Sequence, residues 1–75
     1  MMYEIVDEWR AGKYILLFLN KPITERRYNA IKIGEKEYGI VPSYGVMGIA
    51  IESDGSFVGR KAKLVLSDKY AGYSI

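Results

Sequence analysis

The amino-acid sequence predicts a small antiparallel all-β domain. Three observations support this: apolar and polar residues alternate with a period close to two, β-branched and aromatic residues are plentiful, and glycine recurs at intervals that suit hairpin turns. A chain of 75 residues forms one domain with a thin core. We therefore expect five or six strands arranged as a barrel or a strongly bent sheet.

An SH3-like barrel is preferred over an OB-like one, because no segment supplies a convincing capping helix. One domain is expected over residues 1–75, and residues 67–75 are expected to fray because they lack a clear period. The expected strands lie near residues 3–10, 13–20, 28–33, 37–41, 46–52 and 61–66. The expected core contains Ile5, Trp9, Leu16, Phe18, Ile31, Ile33, Tyr38, Ile40, Ile49, Ile51, Leu64 and Leu66.

The first hairpin is expected over the stretch YEIVDEWRAGKYILLFLN, with a turn at residues 11–12. This register places Trp9 opposite Tyr14 and Ile5 opposite Phe18. Cross-strand pairs of this kind contribute up to about 1 kcal/mol each. Both strands of the hairpin are therefore expected to carry large core residues.

The second strand is unusual because residues 14–19 are apolar on both faces. Either the sheet closes into a barrel that covers this strand, or a second chain covers its outer face. Pro22 cannot donate a hydrogen bond to the sheet, so the strand is expected to end before it and the segment KPITERR to form a loop.

The second hairpin, YNAIKIGEKEYGIV, has the clearest alternation in the chain. A type II′ turn at residues 34–35 pairs Lys32 with Glu37 and Ile31 with Tyr38, with glycine supplying the positive φ. The opposite charges of Lys32 and Glu37 support this register.

The third hairpin is expected in IAIESDGSFVGRKAKLVL. The Asp-Gly pair at residues 54–55 is a signal for a type I′ turn, and it sets Ile51 against Val58. Continuing that register would bring apolar and charged residues to one face, so a bulge or break is expected near Gly59.

The composition excludes many kinds of catalysis. Without cysteine or histidine the chain has no thiolate nucleophile, no thiolate metal ligand and no imidazole base. The neighbouring carboxylates Glu52 and Asp54 lie beside a turn, where water keeps both charged. We therefore expect a protein that is not an enzyme and that carries no cofactor or metal.

The cytoplasm is the expected compartment. The first ten residues are acidic and do not resemble a signal peptide, and the longest apolar run, residues 14–19, is too short to cross a membrane. The net charge of +2, from 11 basic and 9 acidic residues, does not by itself indicate a polyanionic partner.

Basic residues are concentrated at Arg60, Lys61 and Lys63. Lysines on alternate positions are typical of an edge strand that avoids sheet-to-sheet association. The alternative is a site for nucleic-acid phosphates, joined by Arg26 and Arg27 if they lie on the same side. Three phosphate contacts would give a salt slope of about −2.7, which is small for a dedicated nucleic-acid binder.

The stretch GSFVGRKAKL resembles the short KOW sequence of ribosomal proteins and transcription elongation factors. The similar residues are Gly55, Phe57, Gly59, Arg60 and Lys61. Ala62 replaces a frequent glycine, and Asp54 resembles an insertion. The resemblance covers under a fifth of the chain, and it implies a small barrel whose basic turn contacts RNA or a protein.

Aromatic side chains offer a second route to nucleic acid, because single-strand binders stack bases on exposed rings. Tyr38 is expected in the core, and Tyr44, in a bend after Pro42, is the better candidate for an exposed ring.

The leading functional hypothesis is a non-catalytic binding or assembly module. Its partner would be another protein or a second copy, bound through the doubly apolar second strand. A weak RNA or DNA binder that uses the basic residues is the rival hypothesis, and no membrane partner is expected.

Overall fold

The computed structural model of the protein describes residues 2–41 and 48–69, which form a closed antiparallel barrel of six strands. The strands are β1 (Met2–Ala11), β2 (Tyr14–Leu19), β3 (Ala30–Ile33), β4 (Lys36–Val41), β5 (Gly48–Glu52) and β6 (Lys61–Val65). Around the barrel they follow the order β1-β2-β5-β4-β3-β6, and β6 pairs with β1.

The predicted all-β class and all six expected strands are confirmed, with boundaries that differ by one or two residues. The start of the expected fifth strand, residues 46–47, lies outside the described residues. The SH3-like subclass stays a prediction. Within the described ranges no helix is long and apolar enough to span a membrane.

The core lies inside the ring of strands. Seven predicted core residues are confirmed as buried: Ile5, Ile31, Ile33, Ile40, Ile49, Ile51 and Leu64. Sequence reasoning missed seven others, which are Tyr3, Ile15, Leu17, Leu19, Ala30, Phe57 and Ala62.

The predicted register of the first hairpin is wrong. Ala11 pairs with Tyr14, and Trp9 pairs with Leu16, so the turn is formed by residues 12–13 and not by residues 11–12. Gly12 has a φ of 63° and takes the first central position of this turn. An alanine at that position would be strained, because a Cβ disfavours positive φ.

A register shift between Ile5 and Asp7 then exchanges the two faces of β1. Beyond it, Glu8 is opposite the buried Leu17 and therefore takes an inward position. Trp9 points outward and is 65% exposed, so its predicted place in the core is wrong.

The core assignment of β2 is also wrong, because its odd-numbered residues fill the barrel. Leu16 and Phe18 are half-buried on the outer side. Two further expected core residues lie elsewhere: Tyr38 is half-buried and packs against the core, whereas Leu66 follows the end of β6 and is exposed.

The second hairpin is confirmed residue by residue. Lys32 pairs with Glu37, and Ile31 pairs with Tyr38. Gly34 has a φ of 65° and Glu35 does not have a positive φ, as a type II′ turn requires.

The third hairpin is absent from the described structure. The strand β5 pairs with β2 and β4, whereas β6 pairs with β1 and β3. Residues 53–60, the barrel-end loop, connect β5 to β6. Gly55 has no positive φ, so the expected type I′ turn is wrong, but the expected break near Gly59 coincides with a φ of 90°.

The segment between β2 and β3 is a loop, as predicted. It is fixed near its middle by Tyr3, whose hydroxyl donates to Glu25 and accepts from the backbone N–H of Thr24. At its end, the side chain of Asn29 bonds to both backbone groups of Ser67. Of the tail that was expected to fray, residues 70–75 lie outside the described residues.

Candidate functional site

Apolar side chains follow one another across the outer sides of four neighbouring strands, flanked by the charged Asp7 opposite Phe18 and Glu52 opposite Tyr14. Trp9 of β1 is opposite Leu16 of β2, which is opposite Ala50 of β5, which is opposite Val41 of β4. Residues directly opposite in a sheet share one face. The surface, here called the apolar face, comprises Trp9, Tyr14, Leu16, Phe18, Val41 and Ala50.

Packing within the apolar face holds its side chains in place. The Cδ1 atom of Leu16 lies 3.4 Å from the point where a Cβ of Gly48 would stand, so the missing side chain gives Leu16 its place. Phe18 is directly opposite the same glycine. The face is therefore a packed surface with a protruding indole at one margin.

Closure of the barrel explains the apolar residues on only one side of β2. Closure of the barrel buries Ile15, Leu17 and Leu19 and pairs both edges of the strand. The outer residues Leu16 and Phe18 are left only half-buried. Barrel closure therefore accounts for one face of β2 and leaves the other accessible.

The barrel-end loop is held by two charged side chains of β1. Glu8 accepts hydrogen bonds of 2.7 Å from the backbone N–H of Phe57 and from the hydroxyl of Ser56. Arg10 donates hydrogen bonds of 2.6 Å to the carbonyl oxygens of Ser53 and Gly55. The bond from Phe57, followed by that from Ser56, lowers the pKa of Glu8 below its ordinary value of 4.5.

The basic residues Arg60, Lys61 and Lys63 are all exposed, and the two lysines point outward from β6. The edge-strand explanation for them is wrong, because β6 is paired on both sides. Lys32 of β3, which sequence reasoning did not select, is directly opposite Lys63. The alternation of β3 in the sequence indicates that Lys32 points outward. It does not show which strand lies beside β3 in the barrel.

Arg26 and Arg27 are exposed in the loop between β2 and β3. That loop leads into the end of the barrel where Ala30 pairs with Val65. Arg60 lies at the other end of β6, beyond the pair of Ile33 and Ala62. The strand pairing thus separates the two arginines from the basic residues near Lys61.

A groove of about 450 Å³ lies on the outside between β4 and β5, whose described residues form two cross-strand pairs. Its charged lining is mainly acidic: Glu37, Glu52 and Asp54 face one Lys36. The ammonium of Lys36 lies 5.2 Å from the ring centroid of Tyr38. Tyr44, the predicted stacking residue, lies outside the described residues.

Residues 2–41 and 48–69 contain no group of three side chains that could ligate a metal ion. Comparison with models of known protein families found no match. Searches of curated proteins and of solved structures found no significant match either.

Proposed function

We propose that this protein is a non-catalytic assembly module that binds a second copy of itself through the apolar face. The observation that carries the proposal is the unbroken row of Trp9, Leu16, Ala50 and Val41 across the outside of four strands. Trp9 is exposed, and the other three residues of the row are half-buried. Contiguous accessible apolar surface is typical of interaction sites.

The barrel geometry determines how two copies would meet. In a closed barrel every described strand pairs with a neighbour on both sides over at least part of its length, which disfavours association by adding a strand at an edge. Contact between faces through side chains is the favoured route, and a twofold contact places the same surface on both sides.

A dimer interface would take up a substantial share of the surface of this chain. A stable interface buries about 800 Å² per partner, against a total accessible surface of 4839 Å² for this chain. An interface of that size would cover about a sixth of the accessible surface. Trp9, at the β1 margin of the face, would be the main anchor, since tryptophans buried in an interface often contribute most to its energy.

Sedimentation or light scattering over micromolar to millimolar concentrations tests the proposal. We expect a concentration-dependent doubling of mass. Trp9 is the single tryptophan of the chain, so its fluorescence should shift to shorter wavelength as the dimer forms. Trp9→Ser should weaken dimerisation about 30-fold, the effect of losing about 2 kcal/mol at the main anchor of an interface.

Val58→Ser is the matched control, because Val58 is an apolar residue that is 53% exposed but lies in the barrel-end loop. This variant should dimerise like the parent protein. A strict monomer at millimolar concentration, with unchanged Trp9 emission, would contradict self-association. We also propose the cytoplasm as the compartment of this protein, as the sequence predicts.

A further inference from the structure

The outer surface formed by β3, β6 and β1 brings like charges together. Lys32 of β3 and Lys63 of β6 are directly opposite each other and are both exposed. Like charges in this position destabilise a sheet. An anion bound between the two lysines would offset this repulsion.

Carboxylates offset only part of this charge. Glu4 lies 3.5 Å from the ammonium of Lys61, and Glu37 is opposite Lys32 on the side of β4. Within the described part of the chain, neither Lys32 nor Lys63 forms an ion pair. Two positive charges with little compensation thus remain side by side on rigid, fully paired strands.

The basic side chains surround a depression in the surface. Its volume is about 280 Å³, and it is lined by Met2, Lys32, Gly34, Lys61 and Lys63. Gly34 contributes no side chain to it. The guanidinium Nη2 of Arg60 lies 3.0 Å from the point where a Cβ of Gly34 would stand, which places a fourth cation beside the depression.

We propose that this depression is a binding site for a compact polyphosphate group, such as a linked diphosphate or triphosphate. Three lysines converge on one small concavity and do not form a stripe along the surface. A ligand with several negative charges in a small volume neutralises all of them at once. An extended nucleic-acid backbone would instead recruit Arg26 and Arg27, which lie toward the other end of the barrel.

This site is separate from the proposed dimer contact, because none of its lining residues belongs to the apolar face: Met2 lies at the start of β1 and Trp9 near its end, and the other lining residues lie on β3, β6 and the turn after β3. Dimerisation can therefore fail while phosphate binding succeeds, and the reverse is also possible.

The experiment is a titration of the full chain with inorganic triphosphate, followed by thermal unfolding and by amide chemical shifts. Inorganic monophosphate at matched ionic strength controls for screening. Triphosphate at saturation should raise Tm by about 5 °C or more, since a ligand that binds only the folded state stabilises it. Shift changes should concentrate on residues 32–34 and 61–63.

The double variant Lys32→Gln/Lys63→Gln should bind triphosphate about tenfold more weakly, because two charge contacts of exposed side chains are lost. Without ligand at low salt, its Tm should be higher than that of the parent, since the repulsion between the lysines is removed. Arg26→Gln/Arg27→Gln is the matched control and should bind triphosphate like the parent.

Parent-like triphosphate binding by the lysine variant would overturn the proposal, as would equal effects of monophosphate and triphosphate. Stronger binding of an oligonucleotide that weakens in both variants would also overturn it, in favour of an extended polyanion surface. A nucleoside triphosphate, compared with inorganic triphosphate, distinguishes the two sources of the phosphate group. Equal affinity identifies the phosphates as the whole recognised group.

Discussion

Glu8 and Phe57 are joined across 49 positions of sequence by a hydrogen bond of 2.7 Å between the carboxylate of the first and the backbone N–H of the second. Phe57 is 5% exposed, and its ring meets that of Tyr38 edge-on at 5.4 Å. The bond thus fixes the point at which the barrel-end loop sends an aromatic ring into the core.

The first prediction concerns pH. The folded state lowers the pKa of Glu8 below 4.5, so between the folded-state pKa and 4.5 the unfolded chain binds more protons. The stabilisation is fully present above pH 4.5 and is lost as the pH falls through the folded-state pKa. Urea unfolding across this range should show stability decreasing with acid.

Glu8→Gln should be less stable than the parent at neutral pH and should lose part of this acid dependence. Glu35→Gln provides the control, because Glu35 is exposed in the second hairpin turn. If Glu8→Gln keeps the full acid dependence of the parent, the bond to Phe57 is not its source.

The second prediction concerns the ring of Phe57. Truncation of a buried phenylalanine costs about 3–5 kcal/mol, and a domain of 75 residues has a total stability of about 4–11 kcal/mol. Phe57→Ala should therefore remove a large share of the stability, and at the lower end of that range it should leave the protein largely unfolded. Circular dichroism during urea titration measures this.

Phe57→Leu separates loss of the ring from loss of the loop. Leucine keeps most of the buried volume, so the fold should persist with a smaller loss of stability. Near-parent stability of Phe57→Ala would show that the barrel-end loop does not contribute to the core.

Local patterns were sufficient for the strands and insufficient for the ends of the barrel. The second hairpin was predictable because Gly34 and the alternation of β3 and β4 act within ten residues. The Asp-Gly pair at 54–55 gave an equally strong local signal but failed, since burial of Phe57 and the bonds from Glu8 and Arg10 stabilise a different path.

The two candidate surfaces could not be predicted from the sequence, for a related reason. One extra residue near Val6 exchanges the faces of β1, and no local pattern reveals such a shift. Trp9 was therefore assigned to the core, although it lies on the apolar face. The pairing of Lys32 with Lys63 joins distant strands and depends on barrel closure.

The third prediction compares two turn glycines that have nearly the same φ, 63° at Gly12 and 65° at Gly34. Alanine at either position should cost about 1–2 kcal/mol, the penalty of placing a Cβ at positive φ. Nothing lies within 4 Å of the added Cβ at Gly12, whereas Arg60 lies 3.0 Å from it at Gly34.

Because a guanidinium at the end of a flexible side chain can move, Gly34→Ala should lose only slightly more stability than Gly12→Ala. Chemical denaturation of Gly34→Ala, Arg60→Ala and the double variant measures the coupling. A coupling above about 1 kcal/mol, well beyond the usual additivity error, would show that Arg60 is rigidly held.

The last prediction concerns Asn29, the buried polar residue that joins β3 to the chain after β6. Its side chain accepts a bond of 2.8 Å from the N–H of Ser67 and donates one of 2.8 Å to the Ser67 carbonyl oxygen. Asn29→Ala leaves both backbone groups without these partners and should cost about 1–3 kcal/mol.

Asn29→Asp keeps an acceptor but cannot donate, and its charge would face a carbonyl oxygen, so it should be no more stable than Asn29→Ala at neutral pH. Urea denaturation of both variants and amide exchange at Ser67 measure the effect. Parent-like stability with slow exchange at Ser67 in Asn29→Ala would show that the pairing of β3 with β6 alone holds this end of the barrel.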